Sequence, residues 1–287
     1  MKKISALLFM VSFFFGIKAQ DTPAPDLLLH IWPNGAPTSN GLSGDEVDYG
    51  DHCSNVTDPT LSIYLPKQTC GLAVLACPGG GYVDVWDSHE GKQMADWYLE
   101  QGIVYAVLKY RLPNGHKEVP LDDVQQAMHI LRSNNKEWNI QKLGIQGCSA
   151  GGHLAAMTST HYTNEENRPD FQILFYPVIT LDPSYTHDGT LYHLLGENPS
   201  AETIEKYSNE KQVTAQTPPA FILASTDDGL VPVRNSVEYY LALLNHGVQA
   251  TMHLYPEGGH GWCWRDSFRY KPQYCSELSA WLKTLKP

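Results

Sequence analysis

Five residues in the middle of the chain have the spacing of a nucleophile held in a tight turn. They read Gly147-Cys148-Ser149-Ala150-Gly151, a G-x-S-x-G pattern between a predicted strand and a predicted helix. Glycines permit the sharp turn that lifts a serine hydroxyl above the edge of a sheet, beside a helix N-terminus. In this context the pattern predicts that Ser149 is a catalytic nucleophile. The alternative is a tight turn with a structural role only.

Two carboxylates and a histidine follow the serine along the chain, each after a predicted strand. Asp227 and Asp228 follow one strand, and His260 lies in a glycine-rich loop after the last one. Because sites in parallel sheets lie at the carboxyl ends of strands, these groups are expected near Ser149. Serine, then acid, then histidine is a known order for a catalytic triad. The spacing of the acidic loop favours Asp228 as the acid, with Asp227 as the alternative.

A second glycine-rich segment, Pro78-Gly79-Gly80-Gly81-Tyr82, follows an earlier predicted strand. Its glycines let the backbone approach a substrate closely, so the loop around Gly80 and Gly81 is expected to donate to an oxyanion together with the amide of Ala150. A phosphate-binding loop is the competing interpretation. It is excluded because the segment lacks the G-x-x-x-x-G-K spacing.

The elements that must position these groups alternate between apolar runs and helical patterns. Near-continuous apolar strands followed by helices predict a mostly parallel α/β sheet with helices on both faces. Residues 180–219 break the alternation and predict a small cap insertion. Predicted strands cover residues 72–77, 103–108, 143–146, 171–176, 220–224 and 251–255, and predicted helices cover 89–101, 121–134, 153 onward, 233–245 and 274–285.

The first twenty residues differ from the rest of the chain. Lys2 and Lys3 precede an apolar run, and Ala19 offers a small residue for cleavage, which is typical of a secretory signal peptide. The run is too short to span a bilayer. We therefore predict a signal peptide at 1–20, followed by an N-terminal extension at 21–60 and one α/β domain at 61–287. The mature protein is expected to be secreted or periplasmic and not inserted in a membrane.

The composition excludes several kinds of partner. Lys and Arg total 20 against 31 Asp and Glu, a formal charge of -11, and loss of residues 1–19 would deepen it to -14. Such a protein is repelled by phosphate backbones, so nucleic acid is an improbable partner. With 42% hydrophobic and 18% charged residues the chain is expected to fold. We expect no obligate protein partner.

The chain has six cysteines, too few for a disulfide scaffold of this length. Cys77 and Cys148 end predicted central strands and are expected to be buried as small apolar groups. Among the other four, a Cys263–Cys275 disulfide is the preferred pairing, and free thiols are the alternative. No CxxC pair or HExxH pattern occurs, so neither a metal nor a cofactor is expected.

Eight motifs in the right order resemble the secreted bacterial α/β-hydrolase esterases near the acetylxylan esterase, feruloyl esterase and kynurenine formamidase-like group, relatives of the hormone-sensitive lipase type. The likeness covers roughly residues 60–285. It departs from the family pattern in two places. Pro78 stands where the lipase-type loop has histidine, and Cys148 fills the position before the serine, which is often aromatic. The motifs are PGGGY (78–82), EG (90–91), YRLP (110–113), PLDDVQQA (120–127), GCSAGGHLA (147–155), TPPAF (217–221), DDGLVPV (227–233) and GGHGW (258–262).

The resemblance implies an α/β-hydrolase fold and a serine carboxylesterase. The expected substrates are short-chain acyl esters, acetyl above all, on hemicellulose-derived carbohydrates such as acetylated xylan. The alternatives are a prolyl-oligopeptidase-like serine peptidase, an arylformamidase-type amide hydrolase and a catalytically inactive binding protein.

The sequence leaves two alternatives open for some aromatic residues and for one glutamate near the predicted site. Aromatic residues near the predicted site, Tyr82 and Trp262 above all, are expected either to contact a sugar ring or to belong to the core. Glu90, beside the glycine-rich loop, is expected either to cap a helix or to bind substrate.

Overall fold

The computed structural model describes residues 22–287, and the predicted signal peptide at 1–20 lies outside the described residues. Strands and helices alternate through most of this part of the chain. The strands are β1 Leu27–His30, β2 Val47–Asp48, β3 Cys53–Ser54, β4 Thr60–Tyr64, β5 Leu72–Cys77, β6 Asp84–Val85, β7 Val104–Lys109, β8 Lys142–Cys148, β9 Gln172–Phe175, β10 Ala220–Ser225 and β11 Ala250–Tyr255. The α-helices are α1 Ala95–Glu100, α2 Val119–Ser133, α3 Ser149–Thr160, α4 Asp188–Leu195, α5 Ala201–Tyr207, α6 Arg234–Asn245 and α7 Lys271–Leu285.

Eight strands form one sheet in the order β1-β4-β7-β5-β8-β9-β10-β11. The β1–β4 and β4–β7 pairs are antiparallel, and every pair from β7 to β11 is parallel. Strand β5 shows why the apolar runs are continuous. Its side chains alternate between two buried clusters, one on each face of the sheet, so that no position can be polar without losing apolar contact.

Helices cover both faces of the sheet. On one face the core includes Val124 of α2, Leu154 of α3 and Leu243 of α6. On the other it includes Tyr98 of α1 and Leu278 of α7. This confirms the predicted α/β architecture with a mostly parallel sheet.

The N-terminal segment contributes more structure than its sequence pattern suggests. Strand β1 adds an antiparallel edge to the main sheet, and β2, β3 and β6 form a separate three-stranded sheet. Strands of two residues are too short to show a period-two pattern, which is why they were not predicted.

All five predicted helices have somewhat different bounds in the structure, and two of the differences lie next to the candidate site. The helix predicted at 89–101 is a 3-10 helix, Lys92–Met94, followed by the short α1. Helix α3 starts at Ser149 rather than at residue 153. The candidate nucleophile therefore lies in the first turn of a helix.

The region predicted as a cap carries α4 and α5. It is tied to the glycine-rich loop, because Nδ1 of His193 donates to the carbonyl oxygen of Gly81 at 2.9 Å. The carbonyl of His193 in turn accepts the amide of Gly115 at 2.7 Å. Within residues 22–287, no helix combines the length and the apolar character that a membrane span requires.

The cysteines differ from the preferred pairing. All six thiols are free, so the Cys263–Cys275 disulfide is not formed. The Sγ atom of Cys263 instead lies 3.4 Å from that of Cys148, because the loop after His260 folds back onto the end of β8. Cys77 and Cys148 are buried as predicted, and burial raises the pKa of both thiols.

Candidate active site

Ser149 lies at the junction of β8 and α3 in a strained conformation. Its φ of 54° is in the left-handed region, which is unfavourable for a residue with a Cβ. The flanking glycines make this turn possible: a Cβ at Gly147 would lie 2.1 Å from the carbonyl oxygen of Gly151. A Cβ at Gly151 would lie 2.1 Å from the carbonyl oxygen of Cys77. The G-x-S-x-G pattern is thus required by close backbone packing.

The structure brings Ser149, His260 and Asp228 into one hydrogen-bonded line. Nε2 of His260 lies 2.8 Å from Oγ of Ser149, and Nδ1 lies 2.7 Å from Oδ2 of Asp228. The carboxylate accepts the Nδ1 proton, which leaves Nε2 free to accept the serine hydroxyl proton. A serine hydroxyl hydrogen-bonded to a histidine that a carboxylate orients is the arrangement of an activated nucleophile.

The two neighbouring aspartates have different partners. Oδ1 of Asp228 accepts the amides of Leu230 and Val231, each at 2.9 Å, while its other oxygen contacts His260. Asp227 accepts the amides of Gly258 and Gly259 at 3.2 and 2.8 Å. The structure therefore places Asp228 against the histidine, and Asp227 holds the loop that carries it.

The glycine-rich loop faces the same hydroxyl. Gly80 and Gly81 line a cavity together with Ser149 and His260. A Cβ at Gly80 would lie 2.1 Å from the carbonyl oxygen of Asp84, and Gly81 has a φ of 62°, so neither position suits a larger residue. Ala150 lies in the first turn of α3, where amides have no acceptor within the helix.

The cavity around these groups has a volume of about 470 Å³. Burial lowers the pKa of His89 and of His187, so both imidazoles on its wall are neutral near pH 7. Several wall residues were missed by sequence reasoning because they lie outside the recognised motifs, some of them in the cap. These residues are Val83, His89, His187, Gly189, His193 and Arg265. Leu230 and Gly261 also line the cavity, and each lies within a recognised motif to which no substrate contact had been assigned.

Two aromatic residues predicted near the substrate belong to the core. Tyr82 is 1% exposed, with its hydroxyl 3.1 Å from Nδ1 of His153. Trp262 is 3% exposed and stacks on Phe268 with ring centroids 4.0 Å apart. Of the two roles left open for these rings, their burial supports the core and not contact with a sugar. Trp86, which is also close to the glycine-rich loop in sequence, does line the cavity.

Comparison with curated proteins finds relatives that carry esterase and xylanase names. The chain is 41% identical over 228 residues to an acetylxylan esterase of Xylanibacter ruminicola, covering 77% of this chain and 47% of that protein. It is 34% identical over 268 residues to endo-1,4-beta-xylanase B of Butyrivibrio fibrisolvens, covering 85% of this chain and 39% of that protein. The chain thus spans less than half the length of either relative.

A solved structure matches over nearly its whole length. The acetyl ester-xyloside bifunctional hydrolase of Caldicellulosiruptor lactoaceticus superposes with a TM-score of 0.78 at 31% identity, covering 91% of this chain and 97% of that one. The BD-FAE family model matches residues 61–243, which contain the serine, the aspartates and the glycine-rich loop. By this match the chain belongs to the BD-FAE family, and its fold is that of the α/β-hydrolases.

Proposed function

We propose that the protein is a serine carboxylesterase that removes short acyl groups, principally acetyl, from hemicellulose-derived carbohydrates such as acetylated xylan. One observation carries the reaction type: the line of hydrogen bonds from Asp228 through His260 to Ser149 at a cavity lined by glycines. The names of the Xylanibacter and Caldicellulosiruptor relatives support the substrate class.

The proposed reaction begins with proton transfer. Nε2 of His260 takes the hydroxyl proton as Oγ of Ser149 attacks the ester carbonyl, and Asp228 stabilises the imidazolium that forms. The carbonyl oxygen becomes an oxyanion. Donation to it from the amide of Ala150 and from the Gly80–Gly81 segment would be worth about 2.7–4 kcal/mol for each donor.

The second half of the reaction reverses these roles. His260 gives its proton to the sugar oxygen as the bond from that oxygen to the acyl carbon breaks, which leaves an acyl-enzyme on Ser149. Water then enters, loses a proton to His260 and attacks the acyl carbonyl. His260 passes this proton to Oγ of Ser149 as the acyl–oxygen bond breaks, which releases acetate and restores the serine hydroxyl. Each step uses side chains and amides of this chain.

The walls of the cavity support a small, partly polar substrate. The volume of about 470 Å³ lies within the range of small-molecule sites. Exposed apolar side chains, Val83 and Leu230, supply surface for a short acyl group. Neutral imidazoles at His89 and His187, together with the Trp86 ring, are suited to sugar hydroxyls and to the flat face of a sugar.

Export of the protein to the periplasm or the medium is part of the proposal. It rests on the signal pattern at 1–20 and suits a substrate that derives from plant polysaccharide. Expression of the full chain, followed by fractionation and N-terminal sequencing, tests it. Retention of the uncleaved chain in the cytoplasm would contradict export without affecting the esterase proposal.

Hydrolysis assays test the reaction and the substrate separately. We expect turnover of p-nitrophenyl acetate and acetate release from acetylated xylo-oligosaccharides, and loss of both in Ser149→Ala. Feruloylated oligosaccharides, an aryl formamide and a peptide nitroanilide serve as competing substrates. No ester turnover by the wild-type protein would overturn the esterase proposal. Preference for the formamide or the peptide would replace it with one of the amide-hydrolase alternatives.

A further inference from the structure

Glu90 is a buried carboxylate on the cavity wall that has no part in the proposed reaction. Its side chain is 5% exposed. Oε2 accepts the amide of Gly79 at 2.7 Å, and Oε1 accepts the hydroxyl of Tyr176 at 2.7 Å. A basic side chain also lies near it, with Nε2 of His89 at 3.9 Å, but burial lowers the pKa of that imidazole, so it supplies no positive charge near pH 7.

These contacts exclude one of the two roles that the sequence left open for Glu90, that of a helix cap. The 3-10 helix that follows is preceded by Gly91 and has no side-chain cap, so Glu90 does not cap it. Each carboxylate oxygen already accepts a hydrogen bond from the protein. The side chain therefore serves the protein framework around the cavity.

Tyr176 extends the contact to the loop of the candidate base. Its hydroxyl donates to Glu90 and accepts the amide of Cys263 at 3.0 Å, three residues after His260. Its ring packs on the imidazole of His260 with centroids 4.6 Å apart. Tyr176 also has a φ of 35°, a strained conformation for a bulky residue that tertiary contacts must maintain.

The same carboxylate also lies next to the candidate nucleophile. A Cβ placed on Gly79 would be 2.6 Å from Oε2 of Glu90 and 2.9 Å from Cβ of Ser149. The segment after Tyr176 joins this arrangement, because the amide of Val178 donates to the carbonyl oxygen of Ser149 at 3.0 Å. One buried side chain thus connects the glycine-rich loop to the segment that contacts both the serine turn and the histidine loop.

We propose that Glu90 is a positioning residue, which through Gly79 and Tyr176 holds the candidate oxyanion loop and the His260 loop in register with Ser149. This inference rests on the proposed function for its kinetic consequences. The amide of Gly79 already donates to Glu90, so the amides left to donate to an oxyanion are those of Gly80 and Gly81. Small displacements of catalytic groups lower the rate by large factors. Loss of a side chain that fixes the positions of two loops should therefore lower kcat.

A carboxylate suits this place better than the isosteric amide. Both of its oxygens accept, and both partners donate. In Glu90→Gln one oxygen becomes an NH2 group that faces either the Gly79 amide or the Tyr176 hydroxyl. One contact must then be lost or reversed, while volume is conserved.

Kinetics of three variants test the proposal. In Glu90→Gln we expect kcat for p-nitrophenyl acetate to fall roughly 10- to 100-fold with KM changed by less than about threefold, since the loss is part of the 10²–10³ that one oxyanion donor supplies. Tyr176→Phe should reduce kcat in the same way. The double variant should lose little more than Glu90→Gln alone, because both changes break one connection.

Tyr239→Phe is the matched control. Its hydroxyl is also buried and donates to a side-chain oxygen, that of Gln172 at 3.0 Å, away from the cavity. We expect a lower melting temperature and kcat within about twofold of wild type. Three outcomes would each overturn the positioning role. The first is a loss of kcat in Tyr239→Phe equal to that in Glu90→Gln. The others are an unchanged kcat in a folded Glu90→Gln protein, or a rise in its KM with no change in kcat.

A spectroscopic readout separates this inference from the esterase proposal. The Nδ1 proton shared by His260 and Asp228 should give a low-field ¹H NMR resonance that is absent in His260→Gln. In Glu90→Gln we expect it to broaden or shift, because the His260 loop is held less firmly, and in Tyr239→Phe to stay as in wild type. If no ester is turned over but the resonance responds in this way, the function is wrong and the positioning role stands. An unaltered resonance in Glu90→Gln would overturn it.

Discussion

The carboxylate of Asp228 lies 2.7 Å from Nδ1 of His260. The Asp228 side chain is 1% exposed, and the Leu230 and Val231 amides anchor its other oxygen. Its position is therefore set by the protein before any substrate binds. The neighbouring Asp227 faces the backbone of the histidine loop instead.

Substitution of the two aspartates should have very different effects. Asp228→Asn removes the acceptor that selects the imidazole tautomer, so we expect kcat to fall by about 10⁴, as in comparable triads. Asp227→Asn keeps one side-chain oxygen for the loop amides, and we expect a loss of less than about tenfold. Steady-state kinetics with p-nitrophenyl acetate measure both. Equal losses, or a greater loss in Asp227→Asn, would contradict the assignment of the acid.

Gly79→Ala should reduce both activity and stability. The new methyl group would meet Oε2 of Glu90 at 2.6 Å and the carbonyl oxygen of Cys148 at 2.8 Å, so the loop must shift. We expect at least a tenfold loss of kcat and a lower melting temperature, because overpacking costs typically about 1–3 kcal/mol. Gly229→Ala is the control, since a Cβ there meets no atom within 4 Å. Wild-type activity in Gly79→Ala would show that the loop tolerates displacement.

Trp86 should distinguish carbohydrate esters from simple aryl esters. Its ring lines the cavity and is held by stacking on His52, with centroids 4.2 Å apart. If it contacts the sugar, Trp86→Ala lowers kcat/KM for acetylated xylo-oligosaccharides about tenfold, which corresponds to about 1.4 kcal/mol. The value for p-nitrophenyl acetate should stay within about threefold, and Trp86→Phe should restore part of the loss. A uniform loss on both substrates would instead indicate a structural role.

Acid should destabilise the fold partly through His153. Burial lowers the pKa of this imidazole to about 4, where it accepts from Tyr82 and donates to the carbonyl of Tyr207. In the unfolded chain the group takes up a proton below about pH 6.5. Between these values the unfolded state binds more protons, so the free energy of unfolding is fully retained above pH 6.5 and falls by about 3 kcal/mol as the pH drops to 4.

Urea denaturation between pH 7 and pH 4 measures this effect. In His153→Gln, which cannot be protonated, we expect a weaker dependence of the free energy of unfolding on pH. His246→Gln replaces an exposed imidazole and should leave the wild-type dependence unchanged. An identical pH dependence in His153→Gln and wild type would refute the contribution of this residue.

The sequence predicted the parts of the fold that depend on local pattern. The apolar run of β5 has the predicted bounds, because a strand buried on both faces must be apolar at every position. The other parallel strands lie within two residues of their predicted bounds. The serine turn was also predicted, because it has a recognisable pattern of glycines, although only the contact that requires Gly147 is close in sequence and Gly151 packs against Cys77. The two-residue strands carry no such period and were missed.

Chain order and residue type determined by themselves which groups belong to the candidate site: a serine between glycines, an aspartate pair and one histidine after successive strands. Only the tertiary structure decided which aspartate contacts His260, which aromatic rings are buried, and that Glu90 joins the loops. Neighbouring carboxylates look alike in a sequence, but their directions depend on loop backbones. Contacts between residues such as Glu90 and Tyr176, 86 positions apart, follow from packing across the sheet and leave no local pattern.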